Sequence, residues 1–275
     1  MGESDVELRF VKANPCGNTT VFILDDVPKG SYGAVAGMAM DAAYLAAEQV
    51  GFLAPAQEDT VLFHLQMSGG EFCGNAVLAL GAWAVREGLA APSHAFSLTC
   101  SGVDKPLRCT AEKMADGRFS VRGEMPSASS CRDVVLKAGE RHFSGTLVAF
   151  PGIAHFCVAS EEFPTPEQYE ALLSAVAEAS GAAAYGVIPY ARHGCDSVEI
   201  RPYVGVAATG SRVYEKACGS GSLALAIALA RREEPSCFRI VQPGGVIVAD
   251  PNVPAISTAV YFPCEGRLWL PDGVI

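Results

Sequence analysis

Two stretches of the chain have the same pattern: Phe72-Cys73-Gly74-Asn75-Ala76-Val77-Leu78-Ala79-Leu80 and Ala217-Cys218-Gly219-Ser220-Gly221-Ser222-Leu223-Ala224-Leu225. Each begins with Cys-Gly, continues with a small polar residue, and ends in an Ala/Leu-rich run typical of a helix. Cys218 follows Cys73 by 145 residues (218 minus 73), about half of the 275-residue chain. We interpret the pair of stretches as an internal duplication.

The flanking sequence predicts that strands accompany these helices in both halves. Runs rich in Val, Leu, Phe and Thr are typical of sheets. The predicted strands are Val6–Lys12, Thr20–Asp25, Thr60–Leu65 and Phe96–Cys100 in the first half, and Asp133–Lys137, Thr146–Phe150, His155–Ala159, Ser197–Tyr203 and Phe238–Val241 in the second. We therefore expect a first half over residues 1–122 and a second over residues 123–275, joined near Gly123–Ser130.

Four helices are predicted. Two follow the Cys-Gly pairs, over Asn75–Glu87 and Gly221–Glu234, and a third covers Asp41–Val50. The fourth begins after Thr165, a favourable N-cap residue that precedes a proline, and runs to about Ser180.

The two cysteines are the candidate catalytic residues. At a helix N-terminus, unpaired backbone N–H groups and the helix dipole favour negative charge, which lowers the pKa of a thiol. Racemisation removes a proton from one face of a carbon and returns one to the other face, so it suits two opposed groups such as Cys73 and Cys218. Gly74 and Gly219 allow a substrate to approach the backbone, where amides can bind a carboxylate. The alternatives are buried apolar cysteines or a redox disulfide.

The composition excludes several classes of protein. Half of the residues are hydrophobic and the mean hydropathy is +0.24, which excludes a disordered chain. The net charge is −10 without a Lys/Arg-rich run, so we expect no nucleic-acid or membrane partner. No signal peptide or membrane-spanning apolar run is visible. We expect a cytoplasmic protein whose ten cysteines do not form a disulfide framework.

Common cofactor motifs are missing from the sequence. It contains no P-loop, G-x-S-x-G, H-E-x-x-H or EF-hand pattern, no complete dinucleotide fingerprint, and no C-x-x-C zinc pattern. We therefore expect neither a metal nor an organic cofactor. Amides aimed at the substrate carboxylate would stabilise the developing negative charge without pyridoxal phosphate.

The motifs resemble those of the diaminopimelate epimerase-like family, which includes proline racemases and hydroxyproline epimerases. The resemblance covers nearly the whole chain and rests on Cys16-Gly17-Asn18, Gly69-Gly70-Glu71-Phe72-Cys73-Gly74-Asn75, Gly152-Ile153-Ala154-His155, Ala217-Cys218-Gly219-Ser220-Gly221 and Gln242-Pro243-Gly244-Gly245. It implies an α+β fold of two pseudo-symmetric halves, each a β-barrel-like mixed sheet around a central helix, with the active site in the cleft between them. It also implies a C-terminal strand, from about residue 259, that returns to the first half.

The same resemblance implies the roles of individual residues. Cys73 and Cys218 correspond to the family's acid–base pair. The implied substrate-binding residues are Asn18, Glu48, Gln66, Gly74, Asn75, His155, Gly219 and Ser220. For Asn18, Asn75 and His155, the alternative is a structural role in a turn, a helix start and a strand.

Departures from the family pattern argue against diaminopimelate as the substrate. Gln66 stands where the first-half motif begins with Asn, and Ile153 replaces an Asn that contacts the distal end of diaminopimelate. The Glu-Arg pair whose Arg holds the distal carboxylate falls near Ala208-Thr209-Gly210, where neither charge is present. A site without this Arg is expected to lose its affinity for a second carboxylate.

Two segments, Ala47–Phe52 and Val213–Lys216, look closer to the histidine racemases of opine-metallophore pathways, which are relatives of the same family. The resemblance implies that Glu48 contacts the substrate side chain, and a carboxylate suits an imidazole N–H.

We therefore predict an isomerase, a pyridoxal-phosphate-independent amino-acid racemase with histidine as the favoured small-molecule substrate and a homodimer as one possible assembly. The alternatives are a diaminopimelate or hydroxyproline epimerase, a cysteine-independent isomerase of the same fold, and a non-catalytic binding or thiol-redox protein.

Overall fold

The chain folds into two compact units in the computed structural model, which describes residues 6–56, 58, 60–193, 197–207, 210–232, 237–271 and 273–275. Unit 1 consists of Met1–Gly123 and Thr258–Ile275, and unit 2 of Glu124–Ser257. The last strand, β17 (Ala255–Leu270), therefore begins in unit 2 and continues in unit 1.

Unit 1 is a closed mixed barrel. Its other strands are β1 (Val6–Pro15), β2 (Thr20–Ile23), β3 (Gln49–Ala54), β4 (His64–Met67), β5 (Phe96–Cys100), β6 (Leu107–Lys113) and β7 (Phe119–Glu124), and its helices are α1 (Tyr32–Met40) and α2 (Gly74–Arg86). Each strand from β1 to β7 pairs with the next, and β17 pairs with both β1 and β7. The ladder thus closes around eight strands, and the two parallel pairs, β2–β3 and β4–β5, are connected through α1 and α2.

Unit 2 repeats this order of strands and helices. Its strands are β8 (Ser130–Ala138), β9 (Arg141–Phe150), β10 (Ile153–Ala159), β11 (Ala184–His193), β12 (Ser197–Ile200), β13 (Tyr203–Val206), β14 (Ser211–Tyr214), β15 (Phe238–Gln242), β16 (Gly245–Asp250) and the start of β17, and its helices are α3 (Pro166–Ser180) and α4 (Gly219–Ala230). The parallel pairs are β10–β11 and β12–β15, connected through α3 and α4. The β13–β14 hairpin, attached to β11, is an addition between β12 and α4.

The order of pairings is the same in both units. Starting from β17–β1 in unit 1 and from β8–β9 in unit 2, the pairs run antiparallel, antiparallel, parallel, antiparallel and parallel, and then antiparallel through β5–β6–β7 and β15–β16–β17. This repetition confirms the expected α+β fold of two pseudo-symmetric halves. It also makes β2 equivalent to β10, β3 to β11, β5 to β15, and α2 to α4.

The central helices are α2 and α4, as the sequence predicts. Nearly all of their residues are buried, because each packs against several strands of its own unit: α2 against β1, β2, β5 and β6, and α4 against β9, β10, β11 and β16. A helix that is apolar on all sides is stable only when it is surrounded in this way. The other two helices cover separate cores, α1 with Val35 and Phe52 and α3 with Leu172 and Phe156.

The helix predicted over Asp41–Val50 is wrong. The helix of this region is α1, which ends at Met40, and Gln49 begins strand β3. Two local features end the helix: the Asp41 carboxylate accepts a hydrogen bond from the N–H of Ala43 (2.7 Å), and Ala46 has a φ of 47°. Pairing with β2 and β4 then holds the following residues in extended conformation.

The remaining helix predictions are accurate near the N-termini. Both helices after the Cys-Gly pairs are present, and each begins at the glycine itself. The second ends at Ala230, earlier than predicted, and its predicted end, Glu234, lies outside the described residues. Thr165 caps α3 in a capping box with Gln168, as its sequence indicates. Throughout the described part of the chain, every helix is too short or too polar to cross a membrane.

Candidate active site

The two cysteines occupy the same position in the two units: each is the N-cap of its central helix. The Sγ of Cys73 accepts a hydrogen bond from the N–H of Ala76, and the Sγ of Cys218 accepts one from the N–H of Gly221, both at 3.3 Å. Their backbone angles nearly coincide, with φ/ψ of −129°/107° and −120°/106°. Ser, Thr, Asp and Asn usually fill this position, so a thiol here places sulfur where the helix binds negative charge.

The Cys73 sulfur contacts an amide side chain. Its S–H donates a hydrogen bond to Oε1 of Gln49, at 2.6 Å. Gln49 is the first residue of β3 and pairs with Thr20 on β2. A glutamine amide can accept from a thiol through its oxygen or donate to a thiolate through its nitrogen, so Gln49 can serve both protonation states of Cys73.

The Cys218 sulfur contacts a hydroxyl that is itself held by a histidine. Ser220 Oγ lies 3.7 Å from the Cys218 Sγ and 2.8 Å from Nε2 of His155. His155 is completely buried, and its Nδ1 has no hydrogen-bond partner among the described residues. A buried lone pair is cheaper than a buried unpaired N–H, so we assign the proton to Nε2. Nε2–H then donates to Ser220, whose hydroxyl is left to donate towards the Cys218 sulfur.

Burial controls protonation around Cys218. Removal from water raises the pKa of the Cys218 thiol to about 12; the charge of Glu215 raises it further, while Ser220 and the N–H of Gly221 act in the opposite direction. Burial also lowers the pKa of His155 to about 3, so its ring is neutral. The lowered pKa expected from the helix N-terminus is therefore wrong for Cys218 without substrate, because desolvation exceeds the effect of the helix.

The backbone of each cysteine is held by the last residue of the strand that follows its helix. The N–H of Cys218 donates to Oε1 of Gln242, at 2.7 Å, and the N–H of Cys73 donates to the sulfur of Cys100. Sequence reasoning gave no role to Gln49, Cys100 or Gln242. Gln242 lies in a family motif and Gln49 in a segment that resembles the histidine racemases, and these positions are the only signal that could have drawn attention to them.

The predicted substrate-binding residues fall into two groups, each inside its own unit. In unit 1, Asn18 and Asn75 are buried, Gly74 is the first residue of α2, and Glu48 and Gln66 are partly exposed. Glu48 is fixed by its own N–H, which donates to the carbonyl and hydroxyl oxygens of Thr19.

In unit 2, Gly219 and Ser220 form the first turn of α4, and His155 lies beneath Ser220. Contact of these residues with substrate stays a prediction. For His155, the structure shows a contact with Ser220 instead. Within the described residues, no group of three or more His, Cys, Asp and Glu side chains could hold a metal ion.

Comparison with known proteins identifies relatives along nearly the whole chain. The family model described as "Histidine racemase CntK N-terminal domain" matches residues 7–257. A histidine racemase of Fusobacterium nucleatum subsp. nucleatum is 30% identical over 268 residues, which are 96% of this chain and 97% of the relative. A histidine racemase of Staphylococcus aureus is 25% identical and covers 88% of this chain and 87% of its own.

Solved structures agree on the fold. A hydroxyproline epimerase from Agrobacterium vitis, with bound trans-4-hydroxy-L-proline, superimposes with a TM-score of 0.69 at 13% identity, covering 98% of this chain and 94% of that chain. A Bacillus anthracis phenazine biosynthesis protein of the PhzF family gives 0.68 at 11% identity, covering 97% and 99%. The sequence matches identify the enzyme class as well as the fold. This chain is an isomerase, an amino-acid racemase, and it belongs to the histidine racemase family.

Proposed function

We propose that this protein racemises histidine without an organic cofactor, with Cys73 and Cys218 as the two groups that exchange the α-proton. The observation that carries the proposal is that both sulfurs cap a central helix in the same geometry, each accepting a backbone N–H at 3.3 Å. One helix N-terminus stabilises one thiolate, and a reaction that can start from either enantiomer needs two such places.

The different surroundings of the sulfurs suggest their starting states. Burial keeps Cys218 protonated before substrate binds, so it starts as the proton donor. Cys73 starts as the base: as a thiolate it would accept a hydrogen bond from the Gln49 amide nitrogen, in place of the bond that its S–H donates to Oε1. Cys73 takes the α-proton while the Cys218 S–H delivers its proton to the opposite face of the same carbon. The thiolate left on Cys218 is stabilised by the Gly221 N–H and the Ser220 hydroxyl, and the reverse reaction exchanges the two roles.

The substrate carboxylate is proposed to bind backbone N–H groups in the first turns of α2 and α4. These belong to Gly74 and Asn75 in one unit and to Gly219 and Ser220 in the other. Backbone N–H groups at helix starts bind anions, and they stabilise the negative charge that spreads onto the carboxylate as the α-proton leaves.

The preference for histidine is proposed from Glu48 and from the named relatives. Glu48 directly precedes Gln49, so the side chain that would bind the imidazole is one residue from the side chain that contacts Cys73. A carboxylate can accept the imidazole N–H and favours a charged ring. The two relatives from Fusobacterium nucleatum and Staphylococcus aureus, at 30% and 25% identity, are histidine racemases.

The proposal is tested by following α-proton loss in D₂O by NMR, with L- and D-histidine and the other common amino acids. We expect exchange with histidine in both directions, and Cys73→Ser and Cys218→Ser each to lower racemisation at least ~100-fold. Cys264→Ser changes an exposed thiol and is the matched control, expected at wild-type rate. Glu48→Gln is expected to raise KM for histidine more than it lowers kcat.

Each other outcome identifies an alternative. Exchange with diaminopimelate or hydroxyproline but not histidine would keep the thiol mechanism and overturn the substrate. Full racemisation by Cys73→Ser would overturn the mechanism and favour a cysteine-independent isomerase of the same fold. Absence of exchange with every amino acid, in reduced and folded protein, would overturn the proposal.

A further inference from the structure

A closed ring of hydrogen bonds holds the backbone of Cys218. The N–H of Cys218 donates to Oε1 of Gln242 (2.7 Å), Nε2 of Gln242 donates to Oγ of Ser222 (2.9 Å), and Ser222 donates through Oγ to the carbonyl of Cys218 (2.7 Å). Gln242 is 5% exposed and Ser222 is completely buried. The ring therefore satisfies the buried N–H of Cys218 through a side chain, without using its sulfur, while the carbonyl of Cys218 also accepts from the N–H of Ser222 (2.9 Å).

In unit 1, a different residue type accepts the hydrogen bond from the N–H of the cysteine. Cys100 ends β5 as Gln242 ends β15, and the N–H of Cys73 donates to its sulfur. Cys100 is 1% exposed, and burial raises its pKa to about 11, so it is a neutral thiol. Two unrelated side chains at equivalent positions thus accept the same bond, which points to a requirement at that place rather than to chance packing.

We propose that Gln242 is the positioning residue of Cys218, and that Cys100 is its counterpart for Cys73: each fixes the cysteine backbone so that the sulfur caps its helix. The catalytic consequence rests on the proposed function, whereas the effect on thiol reactivity does not. Neither residue is expected to touch substrate.

The physical reason lies in the geometry of the cap. A Cys218 N–H that loses its acceptor stays buried and unpaired, at a cost of about 1–3 kcal/mol unless the backbone turns towards another acceptor. Such a turn moves Sγ away from the Gly221 N–H and the Ser220 hydroxyl, which are the two groups that favour its thiolate. The remaining neighbours do not replace them: Glu215 opposes a thiolate by its charge.

Neutral groups complete the surroundings of Cys218. His155 is neutral and acts only through Ser220, and burial raises the pKa of Cys157, so that thiol is protonated as well. Loss of the Gln242 bond should therefore lower the fraction of Cys218 present as thiolate at any given pH. Cys73, which is held by Cys100, should be unaffected.

The experiment compares the alkylation rates of Cys73 and Cys218 by iodoacetamide in the same sample, at pH 8, by peptide mass mapping. Gln242→Val removes the acceptor, and Gln242→Cys replaces it with the side chain that unit 1 uses. We expect Gln242→Val to slow alkylation of Cys218 about tenfold while Cys73 stays within twofold, and Gln242→Cys to recover most of the loss. Cys100→Val should give the mirror result, slowing only Cys73.

Racemisation supplies a second measurement. Gln242→Val is expected to lower kcat about tenfold with KM within threefold, because it acts on the acid–base group rather than on binding. If Gln242→Val does not fold, Ser222→Ala replaces it as the test, because this variant opens the ring at its other side chain. Ser222→Ala is expected to slow alkylation of Cys218 by about threefold.

Three results would overturn the proposal: unchanged or faster alkylation of Cys218 in Gln242→Val, equal slowing of both cysteines, or no recovery in Gln242→Cys. A wild-type protein that racemises no amino acid would overturn the proposed function alone, because the alkylation ratio is measured without substrate.

Discussion

The two helix-capping cysteines have the same backbone conformation but differ in the side chains around the sulfur. Counting along the paired strands and from each cysteine gives four pairs of equivalent positions: Thr20 and His155, Gln49 and Gly186, Asn75 and Ser220, and Cys100 and Gln242. In unit 1 the residue on β3, Gln49, contacts the sulfur directly. In unit 2 its equivalent on β11 has no side chain, and the contact comes from His155 through Ser220.

Gly186 is what makes the second arrangement fit. A Cβ at this position would lie 2.5 Å from Nδ1 of His155, so any larger residue would displace the imidazole. Both units thus keep the helix cap that a thiolate needs and differ in how the cap is tuned. The difference suits a reaction in which one thiol must hold its proton while the other gives it up.

The largest effect should come from placing a negative charge beside the Cys73 sulfur. Gln49→Glu places a carboxylate beside the sulfur, where like charge disfavours the thiolate, and a rise of about two pKa units would lower racemisation ~100-fold at pH 7. Gln49→Met, which removes the hydrogen bond without adding charge, should cost about tenfold. Steady-state rates of both variants test this, and equal losses would show that charge at Gln49 is not the cause.

The next effect concerns stability on the Cys218 side. His155 is buried with its pKa lowered to about 3, so the unfolded chain binds a proton below pH 6.5 that the folded chain does not. Stability should therefore be fully present above pH 6.5 and fall by up to about 1.4 kcal/mol per pH unit as pH drops towards 3.

Urea unfolding between pH 4 and 7 measures this slope. His155→Gln should remove its contribution, whereas the exposed His94→Gln should keep the wild-type slope. An unchanged slope in His155→Gln would mean that the buried ring does not govern acid stability.

The smallest effect should come from adding a methyl group at Gly186, where the His155 ring leaves little space. Gly186→Ala should destabilise the protein by about 1–3 kcal/mol, since its Cβ meets the His155 ring. Gly33→Ala is the matched control: it lies in α1 with nothing within 4 Å, so the added methyl should stabilise through helix propensity. Thermal unfolding of both variants should give opposite signs, and a neutral Gly186→Ala would contradict the tight packing.

Local sequence predicted the features that depend on local order. The Cys-Gly repeat, the helices that follow it and the N-cap at Thr165 are all set by residues within a few positions of one another. Strand β3 could not be predicted in this way: Gln49–Ala54 continues an Ala-rich run, and only pairing with β2 and β4 makes it extended.

The residues that surround the sulfurs were missed for a related reason. Gln49 precedes Cys73 by 24 residues and Gln242 follows Cys218 by 24 residues, and each meets its cysteine only through the register of a neighbouring strand. The buried partner of Ser220 is 65 residues away. A sequence pattern names the thiols, but not the side chains that strand pairing places against them.

Strand β17 also decides when each unit can finish folding. Val6 pairs with Leu270, so β1 waits for a strand that is synthesised only after unit 2. At translation rates of roughly 5–20 residues per second, β1 and β7 stay open edges for on the order of ten seconds. Open edges invite pairing with other chains. The half of the molecule that leaves the ribosome first is therefore the last to close, and the one most exposed to aggregation during synthesis.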